Sequence, residues 1–337
     1  MPHCTASLLA GLQHKTADEV IPQELTALTW KYLTRRVFIP TLSPTCLKTI
    51  ETRLDRLVLQ DKQSMDLVAD SGVAYFKSED DSKIFVLDKL GKMLHPRSLQ
   101  GSGLMMQLAG IEPESAALYT FQWNSSKGVM ELHVDSSDRS DEPECCWSAD
   151  GLLQARPLFA ACGRNIFVAN CGLQGSNPVA AIDVKCSVGN GDDDPDKWIK
   201  ILAPLPGELI RAISVHACKD TSRIICAMEH SIWVTDLCLT TLSHGAPIVW
   251  TKIGNLAEGE RVSQLVGISD NVVVGLFTRS GGLRTLRSID LVNGVFKDIM
   301  SMKEEQVSMF LTKDHIWMAS MIDEGVPQFA VVDLEWI

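Results

Sequence analysis

An apolar strand ending in aspartate recurs six times along this chain, and no other feature limits its possible folds so strongly. The copies read IFVLDK at Asp88, ELHVDS at Asp135, AAIDVK at Asp183, WVTDLC at Asp236, RSIDLV at Asp290 and AVVDLE at Asp333. The intervals are 47, 48, 53, 54 and 43 residues, too regular for chance. Self-similarity at such a period implies one supersecondary unit repeated along the chain. Other features keep phase with the aspartate. A strand that often carries an aromatic follows it, as at Trp147, Trp198, Trp250 and Phe296. A turn comes next, then a mostly apolar run such as IRAISVHAC or VSQLVGIS, a short turn, and a further strand such as NIFVANC or RIICAME.

Each unit therefore holds four short strands rich in β-branched and aromatic residues and separated by turn residues. Four strands per unit at a period of about 40–50 residues is the pattern of a β-propeller. Six units fit. The sixth runs out at Ile337 after its third strand, and RLDRLVLQ (residues 53–60) precedes the first inner strand. The expectation is an all-β, six-bladed propeller over residues 51–337 with four-stranded blades. Its ring is closed by an N-terminal strand at about 53–60, which removes an open edge. Residues 1–50 form an extension outside the ring. Within 17–36, Leu25, Leu28, Tyr32 and Leu33 fall at helical spacing, with Pro22 suited to a first turn.

The repeated hydrophobic-Asp ending resembles the end of the third strand in WD-type repeats, although the Gly-His and Trp-Asp dipeptides of those repeats are missing. The paired glycines of kelch repeats and the Glu-Gly-Pro opening of gluconolactonase-like propellers are missing too. Chain length and a free-standing six-bladed ring also resemble a small group of fungal propeller enzymes that direct hetero-Diels–Alder reactions. That resemblance implies a biosynthetic enzyme of secondary metabolism and is architectural, with no shared motif.

Charge and cysteine usage narrow the partners. Against 31 Lys and Arg stand 42 Asp and Glu, a net charge of −11 without basic runs, so a nucleic-acid partner is not expected. No run of 18 consecutive apolar residues exists, so no membrane-spanning helix is expected. The ten cysteines include no C-x-x-C pair, and several lie in apolar runs such as LFAACG and RIICAM, where a thiol packs as a small hydrophobe. The N-terminus lacks a basic region followed by an apolar core, so reduced thiols in a cytoplasmic protein are expected.

In a propeller the functional end is where the inner strands begin, together with the turns between second and third strands. The first set supplies Asp66, Gln107, Arg156, Arg211, Gln264 and Gln306; the second supplies Glu79, Asn124, Asn170, Glu229, His230, Arg279 and Asp323. His230 beside Glu229 is the histidine of this set and the candidate for proton transfer, with Arg156 as its catalytic partner. Asp66, Met106, Gln107, Arg211, Gln264 and Gln306 are the substrate-binding candidates. The plainer reading of His230 is a solvated turn residue, and of His216 a hydrogen-bonded core residue. The recurring aspartates are expected to cap turns or bind backbone amides.

Met65, Met105, Met106, Phe159, Cys162, Met309 and Phe310 make the inner strands soft and apolar, able to shape a hydrophobic pocket or simply to pack. No H-E-x-x-H, H-x-H, calcium loop, G-x-S-x-G or phosphate-binding glycine loop occurs, so no metal and no cofactor are expected. Two function classes follow. One is a cofactor-independent cyclase, isomerase or pericyclase acting on a hydrophobic small molecule at the channel mouth. The other is a protein-interaction scaffold whose partner docks through residues 1–50.

Overall fold

The computed structural model describes residues 48–50, 65–69, 73–78, 83–88, 93–98, 106–112, 117–135, 144–150, 157–170, 172–174, 177–185, 198–205, 207–218, 221–238, 248–279, 283–303, 307–312, 315–322 and 326–333. Every regular element among them is a β-strand. The first, β1 (Lys48–Ile50), is three residues long. Five four-stranded antiparallel sheets follow in chain order. The first sheet holds β2 (Met65–Ala69), β3 (Val73–Ser78), β4 (Lys83–Asp88) and β5 (Met93–Ser98). The second holds β6 (Met106–Ile111), β7 (Leu118–Asn124), β8 (Val129–Asp135) and β9 (Glu144–Asp150).

In the third sheet, β10 (Leu158–Cys162) and β11 (Asn165–Ala169) are followed by a separate hairpin, β12 (Gly172–Gln174) and β13 (Asn177–Val179). The sheet then continues with β14 (Ala181–Lys185) and β15 (Trp198–Leu202). The fourth holds β16 (Ala212–Cys218), β17 (Thr221–Ala227), β18 (Ser231–Leu237) and β19 (Thr251–Asn255). The fifth holds β20 (Arg261–Ser269), β21 (Val272–Thr278), β22 (Leu283–Asp290) and β23 (Val295–Lys303).

The last sheet joins β24 (Val307–Leu311), β25 (His315–Ile322) and β26 (Val326–Asp333) to β1, with Thr49 opposite Ala330. The N-terminal strand paired at this edge is therefore Lys48–Ile50. The strand expected at 53–60 and the helix expected within 17–36 lie outside the described residues. Successive first strands pack on one another: β2 on β6, β6 on β10, β10 on β16, β16 on β20, β20 on β24, and β24 on β2. The architecture is all-β and of the β-propeller type.

The apolar pattern explains why the sheets stack. Second strands such as β11 and β21 are near-continuous apolar runs, and so is the Ile224–Ala227 end of β17, buried on both faces between neighbouring sheets. Phe121, Leu132 and Trp147 of the second sheet pack on Ile166 and Val168 of the third. Phe167 and Ile182 of the third pack on Ile213 and Ile224 of the fourth, and Ile225 and Ile232 of the fourth on Val273 and Phe277 of the fifth. Trp317 of the last sheet packs on Ala69 and Ala74 of the first. Each such large side chain contributes about 1.5–3 kcal/mol relative to exposure.

The recurring aromatics tie outer strands together. Trp198 Nε1 donates to the Cys146 carbonyl at 3.1 Å, and Trp250 Nε1 to the Leu202 carbonyl at 3.1 Å, each reaching the preceding sheet's outer strand. Phe296 lies against Gly254 in the same way, so close that a Cβ there would sit 2.6 Å from its ring.

All six recurring aspartates lie on the third strand of their sheets, but they are not six copies of one device. Asp88, Asp135, Asp290 and Asp333 each oppose the first residue of the second strand. Asp290 caps the following turn, accepting from the backbone of Val292 at 2.9 Å and Asn293 at 3.1 Å. Asp236 sits further in, opposite Arg223, whose guanidinium it grips at 2.6 and 2.8 Å. Asp183 lies mid-strand opposite Val168 and is buried, accepting from Trp147 Nε1 of the preceding sheet at 2.9 Å.

Candidate functional site

The residues that lead into the first strands, and the turns after the second strands, are linked by side-chain contacts. Arg211, just before β16, donates from Nη2 to Glu229 Oε2 at 3.0 Å in the β17–β18 turn. One sheet on, the charges are reversed. Glu260, just before β20, accepts from Arg279 Nε at 3.0 Å in the β21–β22 turn. Glu260 Oε1 also accepts from Arg287 Nη1 at 2.7 Å, and Arg287 lies over the Phe277 ring and donates to Asp298. The Glu260 side chain is 2% exposed, that of Arg287 9% and that of Arg279 43%. The inner pair is thus a buried ion pair with a second carboxylate, while Arg279 is a surface partner.

Two of the candidates read from sequence, Gln107 and Arg211, each bury a polar atom. Gln107 Oε1 and Arg211 Nε are buried and make no hydrogen bond. Leaving a buried polar atom unsatisfied costs about 1–3 kcal/mol, so each such atom calls for a partner such as an ordered water, an ion or a ligand. Gln264 Oε1 accepts from Leu311 N–H at 2.7 Å, tying the fifth sheet to the sixth. His230 is exposed beside Glu229, and its carbonyl accepts from Leu256 N–H at 2.8 Å, which anchors the turn. Asp66 lies on β2 opposite Lys77 and Met106 on β6 opposite Gln122. Arg156, Gln306, Met105, Glu79 and Asp323 lie outside the described residues.

Two residues of the soft apolar set pack between sheets. Phe159 stacks on Tyr119 with ring centroids 4.9 Å apart and fills the space above Gly110, where a Cβ would come within 2.4 Å of its ring. Phe310 packs on the clusters around Tyr75 and Trp317. Ser214 and the half-buried His216 face the fifth sheet: Gly267 N–H donates to Ser214 Oγ at 3.1 Å, and His216 Nε2 lies 3.5 Å from Oδ1 of the exposed Asp270, just after β20. Among the described residues Cys145, Cys146 and Cys226 are free thiols. Burial raises the Cys226 thiol well above its ordinary value and Cys146 to about 12, so both stay protonated and inert.

Sequence reasoning missed one group. Glu131, His133 and Cys145 place three donor atoms within 4.8 Å of one another on β8 and β9. The E-x-H alternation on one strand face was its one legible signal. The cysteine reaches the site only through strand pairing.

No protein-family model matches the chain, and no curated protein matches its sequence. Solved structures resemble it in fold. A member of the DUF4221 family from Bacteroides vulgatus is 12% identical, with 90% of this chain and 100% of that one covered, at a TM-score of 0.52. An oligogalacturonate lyase in complex with manganese is 11% identical, over 86% and 96% of the two chains, at 0.51. TolB from Acinetobacter baumannii is 10% identical at 0.48, and the match spans 79% of this chain and 65% of TolB. The first two likenesses place the chain among propeller-type folds. Among the described residues no helix is long and apolar enough to cross a membrane.

Proposed function

We propose that the six four-stranded sheets are the blades of one ring, closed by β1, and that its strand-leading end binds and transforms a hydrophobic small molecule bearing a carbonyl. The observation that carries this reading is the pair of unsatisfied buried atoms, Arg211 Nε and Gln107 Oε1. They come from the fourth and second blades, so one channel mouth receives both. A substrate carbonyl accepts from Arg211, and a hydroxyl or amide N–H donates to Gln107. Glu229 holds the Arg211 guanidinium in place, which makes it a preorganised donor for oxygen that gains charge in a transition state.

Cyclisation, isomerisation and pericyclic rearrangement fit this arrangement. Such reactions need a held conformer and a polarised carbonyl, without a nucleophile. His230 is the proton-transfer candidate at the same turn. The likeness to a lyase of known structure supports the reading only in that the fold accommodates enzymes. A scaffold function is favoured by a different observation: Leu202 of β15 and Val249, in the segment leading into β19, are exposed apolar side chains near Trp250.

The test is a thermal-shift screen against hydrophobic carbonyl compounds, run on the wild-type chain and on Arg211→Ala and Gln107→Ala. A ligand at 100 times its Kd stabilises by about 2.7 kcal/mol. Compounds that stabilise the wild type and lose that effect in both variants support the reading. Stabilisation that survives both substitutions overturns it.

A further inference from the structure

We propose that Glu131, His133 and Cys145 bind a divalent transition-metal ion of the zinc class, with a fourth position left for water or a ligand. This site lies on the third and fourth strands of the second sheet and is independent of the Arg211–Gln107 reading. Glu131 and His133 are two residues apart on β8, so both side chains emerge on one face. A register shift between Leu132 and His133 then sets Cys145, rather than Cys146, opposite His133. The bulge turns the two cysteines apart, as such irregularities re-aim side chains. Cys146 Sγ donates to the Leu132 carbonyl at 3.3 Å among the packed apolar residues, and Cys145 joins the Glu–His face.

The carboxylate is already oriented. Glu131 Oε1 accepts from Asn124 Nδ2 at 3.0 Å and from Lys127 Nζ at 2.9 Å. Its other oxygen, Oε2, is aimed at His133 Nε2, 3.1 Å away. The side chains of Glu131 and His133 are 8% and 16% exposed, so both are held by the sheet. Neighbours that orient a ligand in this way are half of a metal site. Bonds of about 2.0–2.3 Å put tetrahedral donors about 3.3–3.8 Å apart, so the 4.8 Å group closes with small rotamer changes.

The donor set selects the ion. Imidazole, carboxylate and thiolate together suit zinc and its tetrahedral relatives, whereas calcium and magnesium take oxygen ligands. Binding displaces the Cys145 proton, and His133 presents an unprotonated ring nitrogen to the ion.

Cobalt(II) titration of the full chelator-treated chain, under phosphine reductant, tests the proposal. The expected result is one cobalt per chain with a thiolate-to-cobalt charge-transfer band. The band should be lost in Cys145→Ser and retained in Cys146→Ser. His133→Gln, checked for folding by circular dichroism, should weaken uptake at least tenfold. No uptake by the wild-type chain overturns the proposal, as does a band that survives Cys145→Ser. Loss in Cys145→Ser with unchanged uptake in both His133→Gln and Glu131→Gln reduces the event to a thiol adduct and also overturns it.

Discussion

Asn170 and Ile210 are joined by a closed pair of hydrogen bonds: Asn170 Oδ1 accepts from Ile210 N–H at 2.9 Å, and its Nδ2 donates to the Ile210 carbonyl at 2.8 Å. The side chain thereby mimics a strand partner, linking the end of β11 to the segment that leads into β16. Both residues are buried, so no water replaces these bonds. Asn170 also adopts φ of 62°, a left-handed conformation that asparagine tolerates better than most residues. Immediately beyond Ile210 comes Arg211, so this link fixes the backbone from which the proposed carbonyl-binding guanidinium projects.

Asn170→Ala is therefore expected to cost about 2–4 kcal/mol. Two buried backbone groups lose their partners, and alanine bears a left-handed penalty of about 1 kcal/mol. Asn170→Gly should recover that last part and no more. Urea unfolding of both variants reads the difference. Equal stability of Ala and Gly would show that the backbone conformation contributes nothing.

Glu260 and its two arginines give a contrast in a single carboxylate. Glu260→Ala strands the buried Arg287, whose remaining partner is Asp298, and a loss of roughly 2–4 kcal/mol is expected. Arg279→Ala removes a half-exposed partner from a carboxylate that keeps Arg287, so less than about 1 kcal/mol is expected. Thermal denaturation at low and high salt separates them, because screening weakens only the exposed pair.

How far the sequence led can be read from particular residues. The propeller-type architecture was legible because strand periodicity and the Asp spacing are local signals, and each aspartate does fall on a third strand. Their roles were only partly legible. Asp290 caps a turn as short polar side chains do. Asp183 instead meets Trp147, 36 residues away in the neighbouring sheet, and no local pattern encodes that partner. The charge-reversed pairs Arg211–Glu229 and Glu260–Arg279 depend on the same long-range stacking. Cys145 was hidden for a further reason: a single-residue register shift decides which of two adjacent cysteines joins Glu131 and His133.

Asp290 predicts an acid-side effect. Hydrogen bonds from the Asn293 side chain, then from the backbone of Asn293 and Val292, hold its carboxyl below the ordinary value of 3.8. The unfolded chain therefore binds the proton more readily than the folded one. The stability this group contributes is complete above the ordinary value and is lost as pH falls through the lowered one. Asp290→Asn retains acceptor geometry in the turn but cannot titrate, so its melting temperature should fall less steeply below pH 4 than the wild type's. Parallel slopes would show that the turn bonds do not depend on ionisation.

The β1–β26 pairing predicts the effect of trimming the N-terminus. β1 contributes three residues to the edge of the last sheet, with Lys48, Thr49 and Ile50 opposite Val331, Ala330 and Phe329. Removing residues 1–46 leaves that pairing intact; removing 1–50 deletes it. The longer truncation then exposes the unpaired backbone of β26, a template for pairing with another chain. It should melt at lower temperature and associate as concentration rises, while the shorter one behaves as the full chain does. The damage should also spread, because Trp317 of this sheet packs on Ala69 and Ala74 of the first. Loosening β26 frees β25, and with it one side of the first sheet. If the two truncations proved equally stable and monomeric, β1 would be a contact without structural weight, and the last sheet would be held to the first by the β24–β2 packing instead.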